Sequence, residues 1–192
     1  MGTITVTEFI SADGVVDSPG GEPGYAHSGW TFEVDPDPAV YEAVNAAYDG
    51  KAGLLLGRTT YEGFAEAWPP RESSGEEDAE FAVALGDMPK YVVSRTLTDP
   101  SWRNTTVVPF DDVARIKAES GPLLVAGSAS LVQGLHRAGL VDRYHLLVFP
   151  VVLGSGKRLF PTDAVDQLRL TLAESKTYAN GVQLVVYDAG RP

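Results

Sequence analysis

A chain of 192 residues, 44% hydrophobic and 21% charged, has an ordinary globular balance and the length to bury a substantial core, which excludes a disordered chain. Its 26 acidic against 15 basic residues leave a net charge of −11, which argues against general nucleic-acid binding, although a local cluster of arginines can still receive an anion. The absence of cysteine excludes disulfides, thiolate metal sites and cysteine nucleophiles, in keeping with a reducing cytoplasm.

The segment "TITVTEFIS" (Thr3 to Ser11) alternates, with Ile4 and Val6 on one face and Thr3, Thr5 and Thr7 on the other, and reads as a first strand. No basic stretch and long apolar run open the chain, so no signal peptide is expected, and no apolar run approaches the ~18 residues that span a bilayer. "ADGVVDSPGGEPGYAHSGW" holds seven Gly or Pro between Gly14 and Gly29, the composition of a long mobile loop. "DPDPAVYEAVNAAYDGK" has a proline-and-aspartate helix start, Val40, Val44 and Ala47 at helical spacing, and Gly50 as a stop.

"AGLLLG" is short and continuously apolar, so both its faces should be covered. "RTTYEGFAEAW" is a short helix ending before Pro69, with Thr59 and Glu62 spaced as a capping box. An acidic loop and a surface helix from Glu76 to Leu85 lead to the strands "KYVVS" and "TTVVPF", then a helix from Asp111 to Glu119. "GPLLVAG" is a further buried strand, "SASLVQGLHRAGL" its helix and "DRYHLLVFPVVL" a longer strand. "LRLTLAESKTYANGVQLVVYD" gives two strands, with Asn180–Gly181 a hairpin signal. Strands and helices alternating through the middle predict a mostly parallel sheet covered by helices, with a C-terminal antiparallel hairpin, in one domain over residues 1–192.

In such a sheet, ligands bind beyond the carboxyl ends of the strands, near helix N-termini. Gly57 to Thr60, Ser94–Arg95 and Gly127 to Ser130 are three polar strand ends of this kind. Alone, Arg58 reads as a solvated arginine beside an ordinary cap, and Ser128 or Ser130 equally as a plain cap or a phosphate donor. Together the three suit a long anionic ligand such as a dinucleotide, laid across the sheet edge. Tyr25 and Trp30 either cover a flat ring or anchor their loop. "GSGK" at Gly154 to Lys157 lacks the flanking residues of a P-loop, no G-x-G-x-x-G occurs, and His27, His136 and His145 have no metal spacing.

The stretches "TEFISADGVV", "LLLGRTTYEGF", "KYVVSRTL" and "GPLLVAGSASLVQGLHRAGLVDRYHLLVFPVVLGSGKRLF" cover nearly the whole chain. In them it resembles the dihydrofolate-reductase-like superfamily, in particular the riboflavin-biosynthesis reductase (RibD) C-terminal domain family. The resemblance implies an α/β, dihydrofolate-reductase-like three-layer fold and NADPH as cofactor. It implies a homodimeric, cytoplasmic reductase of a small pyrimidine- or pterin-like heterocycle, similar to 5-amino-6-(5-phosphoribosylamino)uracil reductase. It also implies site roles. Gly57, Arg58 and Thr59 would meet the adenosine 2′-phosphate, Ser94 and Arg95 the adenine ribose, and Gly127, Ser128, Ala129 and Ser130 the pyrophosphate. Asp13 and Gly14, with Val15, would lie near the nicotinamide and the substrate. Asp13, at the end of the first strand, is the candidate proton donor, with a bound water as its rival; Trp30 and Lys157 are candidates for the substrate side, Lys157 reading equally as part of a solvated basic turn. Asp13–Gly14 reads equally as a turn-forming pair.

Two departures stand beside the resemblance. The first helix, Ala39 to Glu42, offers no clear counterpart of the carboxylate that anchors the pterin in dihydrofolate reductases. The cysteine ligands of the deaminase half of bifunctional riboflavin enzymes are missing. The alternative is an NADPH-binding sensor or partner-binding protein without turnover.

Overall fold

Continuous apolar runs become strands covered on both faces, and these form the middle of one sheet. The computed structural model of the chain describes residues 2–76, 78–160 and 167–190. Its strands are β1 (Ile4–Ser11), β2 (Gly53–Gly57), β3 (Lys90–Val93), β4 (Thr105–Val108), β5 (Leu123–Ala126), β6 (Arg143–Phe149), β7 (Leu170–Thr177) and β8 (Gln183–Ala189). They lie in the order β4-β3-β2-β5-β1-β6-β8-β7. The first six in that order are parallel, while β8 pairs antiparallel with both β6 and β7. The Asn180–Gly181 turn joins the last two strands as the sequence signal predicts, and Asn180 Nδ2 donates to Asp35 O at 2.8 Å.

Among the described residues, five α-helices cover the sheet: α1 (Pro38–Ala46), α2 (Arg58–Ala67), α3 (Ala79–Asp87), α4 (Val113–Ser120) and α5 (Ala129–Arg137). Neighbouring residues of β2 and β5 divide between the two faces. Leu55, Leu123 and Val125 pack with Val113 and Ile116 of α4 and with Leu131, Val132 and Leu135 of α5. Leu54, Leu56 and Leu124 pack with Tyr61 of α2 and Leu85 of α3 on the other face. Each fully buried leucine contributes roughly 1.5–3 kcal/mol.

The structure revises several boundaries. Helix α1 begins where expected, with Asp37 accepting from Ala39 N at 3.0 Å, but it ends at Ala46, before Gly50. Helix α3 begins at Ala79 rather than Glu76. Both faces of β1 are covered, since Thr5 and Thr7 are buried along with Ile4 and Val6. Their hydroxyls are satisfied across the sheet face. Lys51 Nζ donates to Thr5 Oγ1 at 3.1 Å, and Thr7 Oγ1 bonds His145 Nδ1 at 3.1 Å.

The loop from Ala12 to Gly29 is tied down along its length, in place of the mobile loop its composition suggests. Val16 N donates to Lys157 O and Gly29 N to Ser18 O, and Tyr25 donates its hydroxyl to Ser155 O at 2.7 Å. Trp30 closes the loop. It is fully buried against Phe149, and its indole N–H donates to Asp17 O at 2.8 Å. The substrate-contact role expected of Trp30 is therefore corrected to that of an anchor, because no ring atom reaches the surface. Trp30→Ala is expected to cost about 3–5 kcal/mol, whereas Trp30→Phe, which keeps the packing and loses the donor, costs about 1–2 kcal/mol. Urea denaturation checks both.

Candidate functional site

Strands β2 and β5 pair in parallel, with Leu54 against Leu124, so α2 and α5 start side by side at the same sheet edge. The capping box expected at Thr59 and Glu62 does not form. Helix α2 already begins at Arg58 with Gly57 as its N-cap, and no side chain caps it. Glu62 instead faces Arg58 one turn away at 3.8 Å, with both side chains half exposed, a pairing too weak to hold the guanidinium in place. Ser128 is the N-cap of α5, and its hydroxyl does not cap that helix either. Two neighbouring helix starts thus keep free N–H groups and the positive ends of their dipoles.

Between them lies a cleft of about 300 Å³ lined by Gly57, Arg58, Thr59, Ser128 and Ser130, with Val93 at the end of β3 and Phe110 and Leu131 on its apolar side. Gly57 is required here by crowding rather than by a turn. Its backbone is extended, but a Cβ on it would overlap Ser128 Oγ. Gly127 has φ +75, a region that L side chains avoid, and Thr60 Oγ1 lies 3.1 Å from the place of its absent Cβ. The Gly127–Ser128 peptide is cis. Ala129 is buried as the first residue of α5. Ser94 continues from Val93, but its Oγ is engaged in the turn, accepting from Thr96 N and Leu97 N at 3.1 and 3.0 Å. Arg95 beside it is exposed. A neighbouring cleft of about 280 Å³ carries Glu62, Glu66 and Asp99, a carboxylate set that repels an anion.

The other expected residues gather elsewhere, around the start of the long loop. Asp13 accepts from Ser11 Oγ (2.7 Å), Leu153 N (3.1 Å) and Gly154 N (2.9 Å), and Arg158 donates to its backbone carbonyl. These bonds, the Ser11 hydroxyl first, hold its carboxyl down at about 2. These contacts make Asp13 a clasp between the end of β1 and the Leu153–Gly154 segment. Val15 lies in the same clasp: its side chain is fully buried, its N–H donates to Ser11 Oγ at 2.8 Å and its carbonyl accepts from Ser11 N. Lys157 is exposed but donates to Asp17 Oδ1 at 2.9 Å.

Sequence pattern alone does not single out Glu8, the ionisable residue within the β1 run. It is 8% exposed, and burial pushes its carboxyl up to about 8, against a weaker opposing pull from a hydrogen bond with the Gly127 backbone. Its Oε1 is buried with no hydrogen-bond partner. A charged residue inside a strand of threonines and apolar residues is the available signal. Among the described residues no group of His, Cys, Asp or Glu could hold a metal ion, and no helix is long and apolar enough to cross a membrane.

Fold and cleft together define an α/β protein of the dihydrofolate-reductase-like class, its cleft at the point where the strand order reverses. The model of the RibD C-terminal domain matches residues 2–184, and the chain belongs to that family, a family of reductases. It is 27% identical over 183 residues to the uncharacterized protein YyaP of Bacillus subtilis (strain 168), covering 93% of this chain and 90% of that one. Among solved structures it is similar to a protein of Shewanella sp. PV-4 ascribed to riboflavin biosynthesis, with TM-score 0.74 and 21% identity over 98% of this chain and 99% of that one. A pyrimidine reductase-like protein of Corynebacterium diphtheriae matches with TM-score 0.65 and 14% identity over 100% and 93% of the two chains. At these identities the structures share the fold.

Two outcomes test the site. Gly57→Ala forces Ser128 aside, and with backbone that any residue can adopt, its cost of about 1–3 kcal/mol is an overpacking cost; Gly57→Ala combined with Ser128→Gly recovers most of it in thermal unfolding. For Glu8, the folded value of about 8 lies above the ordinary 4.5. The neutral form favours the fold, and that stabilisation is lost as pH rises through 8. Wild-type stability falls on the order of 3 kcal/mol between pH 5 and 8 from this group, and Glu8→Gln flattens that part of the urea-denaturation profile.

Proposed function

We propose that this protein is a reductase that uses NADPH to reduce a C=N or C=O bond of a small pyrimidine- or pterin-like heterocycle. The observation that carries the reading is the pair of adjacent helix starts, both without side-chain caps, that open with Arg58 onto one cleft. The crowding of Gly57 against Ser128 brings backbone close to the cleft, as a cradle for a diphosphate requires.

Arg58, with Thr59 beside it, would hold the 2′-phosphate by charge-assisted hydrogen bonds, and exposed Arg95 would add charge beside the ribose. The N–H groups at the start of α5, with Ser128 and Ser130, would take the diphosphate. When bound, the nicotinamide would supply the hydride, and the chain's part is to orient it and exclude water. With Asp13 held ionised, the accompanying proton would come from water at the site. By family likeness the working unit would be a cytoplasmic homodimer with a small-molecule substrate.

A second reading is an NADPH-binding sensor without turnover. The burial of Trp30 and the pairing of Lys157 with Asp17 favour it, because they remove two expected substrate contacts.

Fluorescence titration tests the cleft. NADPH is expected to bind more tightly than NADH, and Arg58→Ala to weaken NADPH by about tenfold to a hundredfold, the loss of a charged hydrogen bond of roughly 1.5–3 kcal/mol, with NADH little changed. If neither cofactor binds, the reading fails. Oxidation of NADPH with any of a panel of pterins, pyrimidines and flavin precursors selects the reductase, and binding without oxidation selects the sensor.

A further inference from the structure

Glu8 lies in the carboxyl-terminal half of the central strand, in register with Leu146 of β6 on one side and, one residue past the Thr7–Ala126 pair, level with Gly127 at the end of β5 on the other, where the Gly127 backbone pulls its carboxyl down against the larger effect of burial. Gly127 is the corner from which Ser128 and helix α5 start, so the carboxyl sits directly behind the cleft's diphosphate side. It is more than nine-tenths buried, and its Oε1 has no partner among the described residues. An ionised carboxylate in that position would place a buried negative charge against any anion at the corner, where little solvent screens it. A neutral carboxyl keeps a carbonyl oxygen for the Gly127 N–H and loses the repulsion.

Among the described residues, the surroundings leave Glu8 without a counter-ion. The end of β5 presents Ala126 and Gly127, α5 begins with Ala129, and β6 presents Leu146, with His145 committed to Thr7. From the turn after α1 the near titratable group is Tyr48, whose hydroxyl is raised first by its own burial and then by the charge of Glu8. The elevated value of Glu8 itself agrees with this placement.

We propose that Glu8 is a positioning residue of the cofactor cradle, which holds the Gly127 N–H in its neutral form and takes up a proton from solvent when a dinucleotide diphosphate binds at the Gly127–Ser128 corner. This rests on the NADPH reading of the cleft. Because the protonated form is the one that accepts the anion, affinity is retained below the folded value of about 8 and lost above it.

Calorimetric titration of the full chain with NADPH, in two buffers of different ionisation enthalpy, reads the linkage directly. At pH 8 the uptake is expected to be about half a proton per NADPH, and Kd at pH 9 about tenfold that at pH 7. Glu8→Gln keeps a carbonyl acceptor for Gly127 without a titrating group. It should bind at pH 7 like the wild type, with no proton uptake and no tenfold loss at pH 9, while Glu8→Ala, which loses the acceptor, should bind several-fold more weakly at both pH values. Wild-type NADPH binding with no proton uptake and a flat profile overturns the role of Glu8 and leaves the cleft's reading standing. Retention of the tenfold loss in Glu8→Gln does the same. Absence of NADPH binding at every pH overturns both.

Discussion

The insertion of β5 between β2 and β1 governs the rest of the molecule. The chain lays down β1, then builds β2, β3 and β4 outward in succession, and only then returns to fill the gap it left. That gap must be one strand wide, since neighbouring strands lie about 4.8 Å apart. Once it is filled, β2 and β5 are neighbours running the same way, and the helices that follow them must start together. Their first residues meet so closely that Gly57 has no room for a methyl group beside Ser128. The cleft is therefore a product of strand order before it is a product of any particular side chain.

The strand-one loop answers to a different constraint. Asp13 and Asp17 place their carboxylates on backbone and side-chain donors of the segment from Leu153 to Arg158. A single antiparallel bridge joins Val15 to Arg158, and Leu159 N donates to Gly14 O. Residues that look like free chemical groups in a glycine-rich stretch are spent on fastening it. The same hydrogen bonds that fasten Asp13 fix its charge, so structure and lack of acidity have one cause.

Much of this was legible in the sequence. "LLLG" is apolar without alternation, and β2 is covered on both faces. Asn180–Gly181 marked the hairpin. Gly57, Arg58, Thr59, Ser128 and Ser130, far apart in the chain, do meet at one cleft. What failed shares a physical origin, in that local pattern cannot see partners supplied from afar. Alternation sets Thr5 and Thr7 on one face of β1 but cannot name what meets them there, Lys51 and His145. The T-x-x-E spacing at Thr59 was correct for a cap, but the helix had already begun one residue earlier. The sequence left Trp30 between covering a ring and anchoring its loop, and Phe149, more than a hundred residues later, buries it in the second role. Glu8 escaped notice because its significance depends on Gly127.

The position of β1 also bears on how the chain reaches this state during synthesis. Both partners of β1 come late, at Leu123–Ala126 and Arg143–Phe149, so β1 is made well before either of the strands it pairs with. Until the second half of the protein emerges, β1 exposes Ile4, Val6 and Ile10 and an unpaired row of peptide groups on each side. Closing contacts of such sequence separation is slow, and an unpaired apolar strand is prone to associate with other chains. The threonines interleaved through β1 make that waiting strand less adhesive than a run of valine or isoleucine would be, which gives "TITVT" a use before the fold exists.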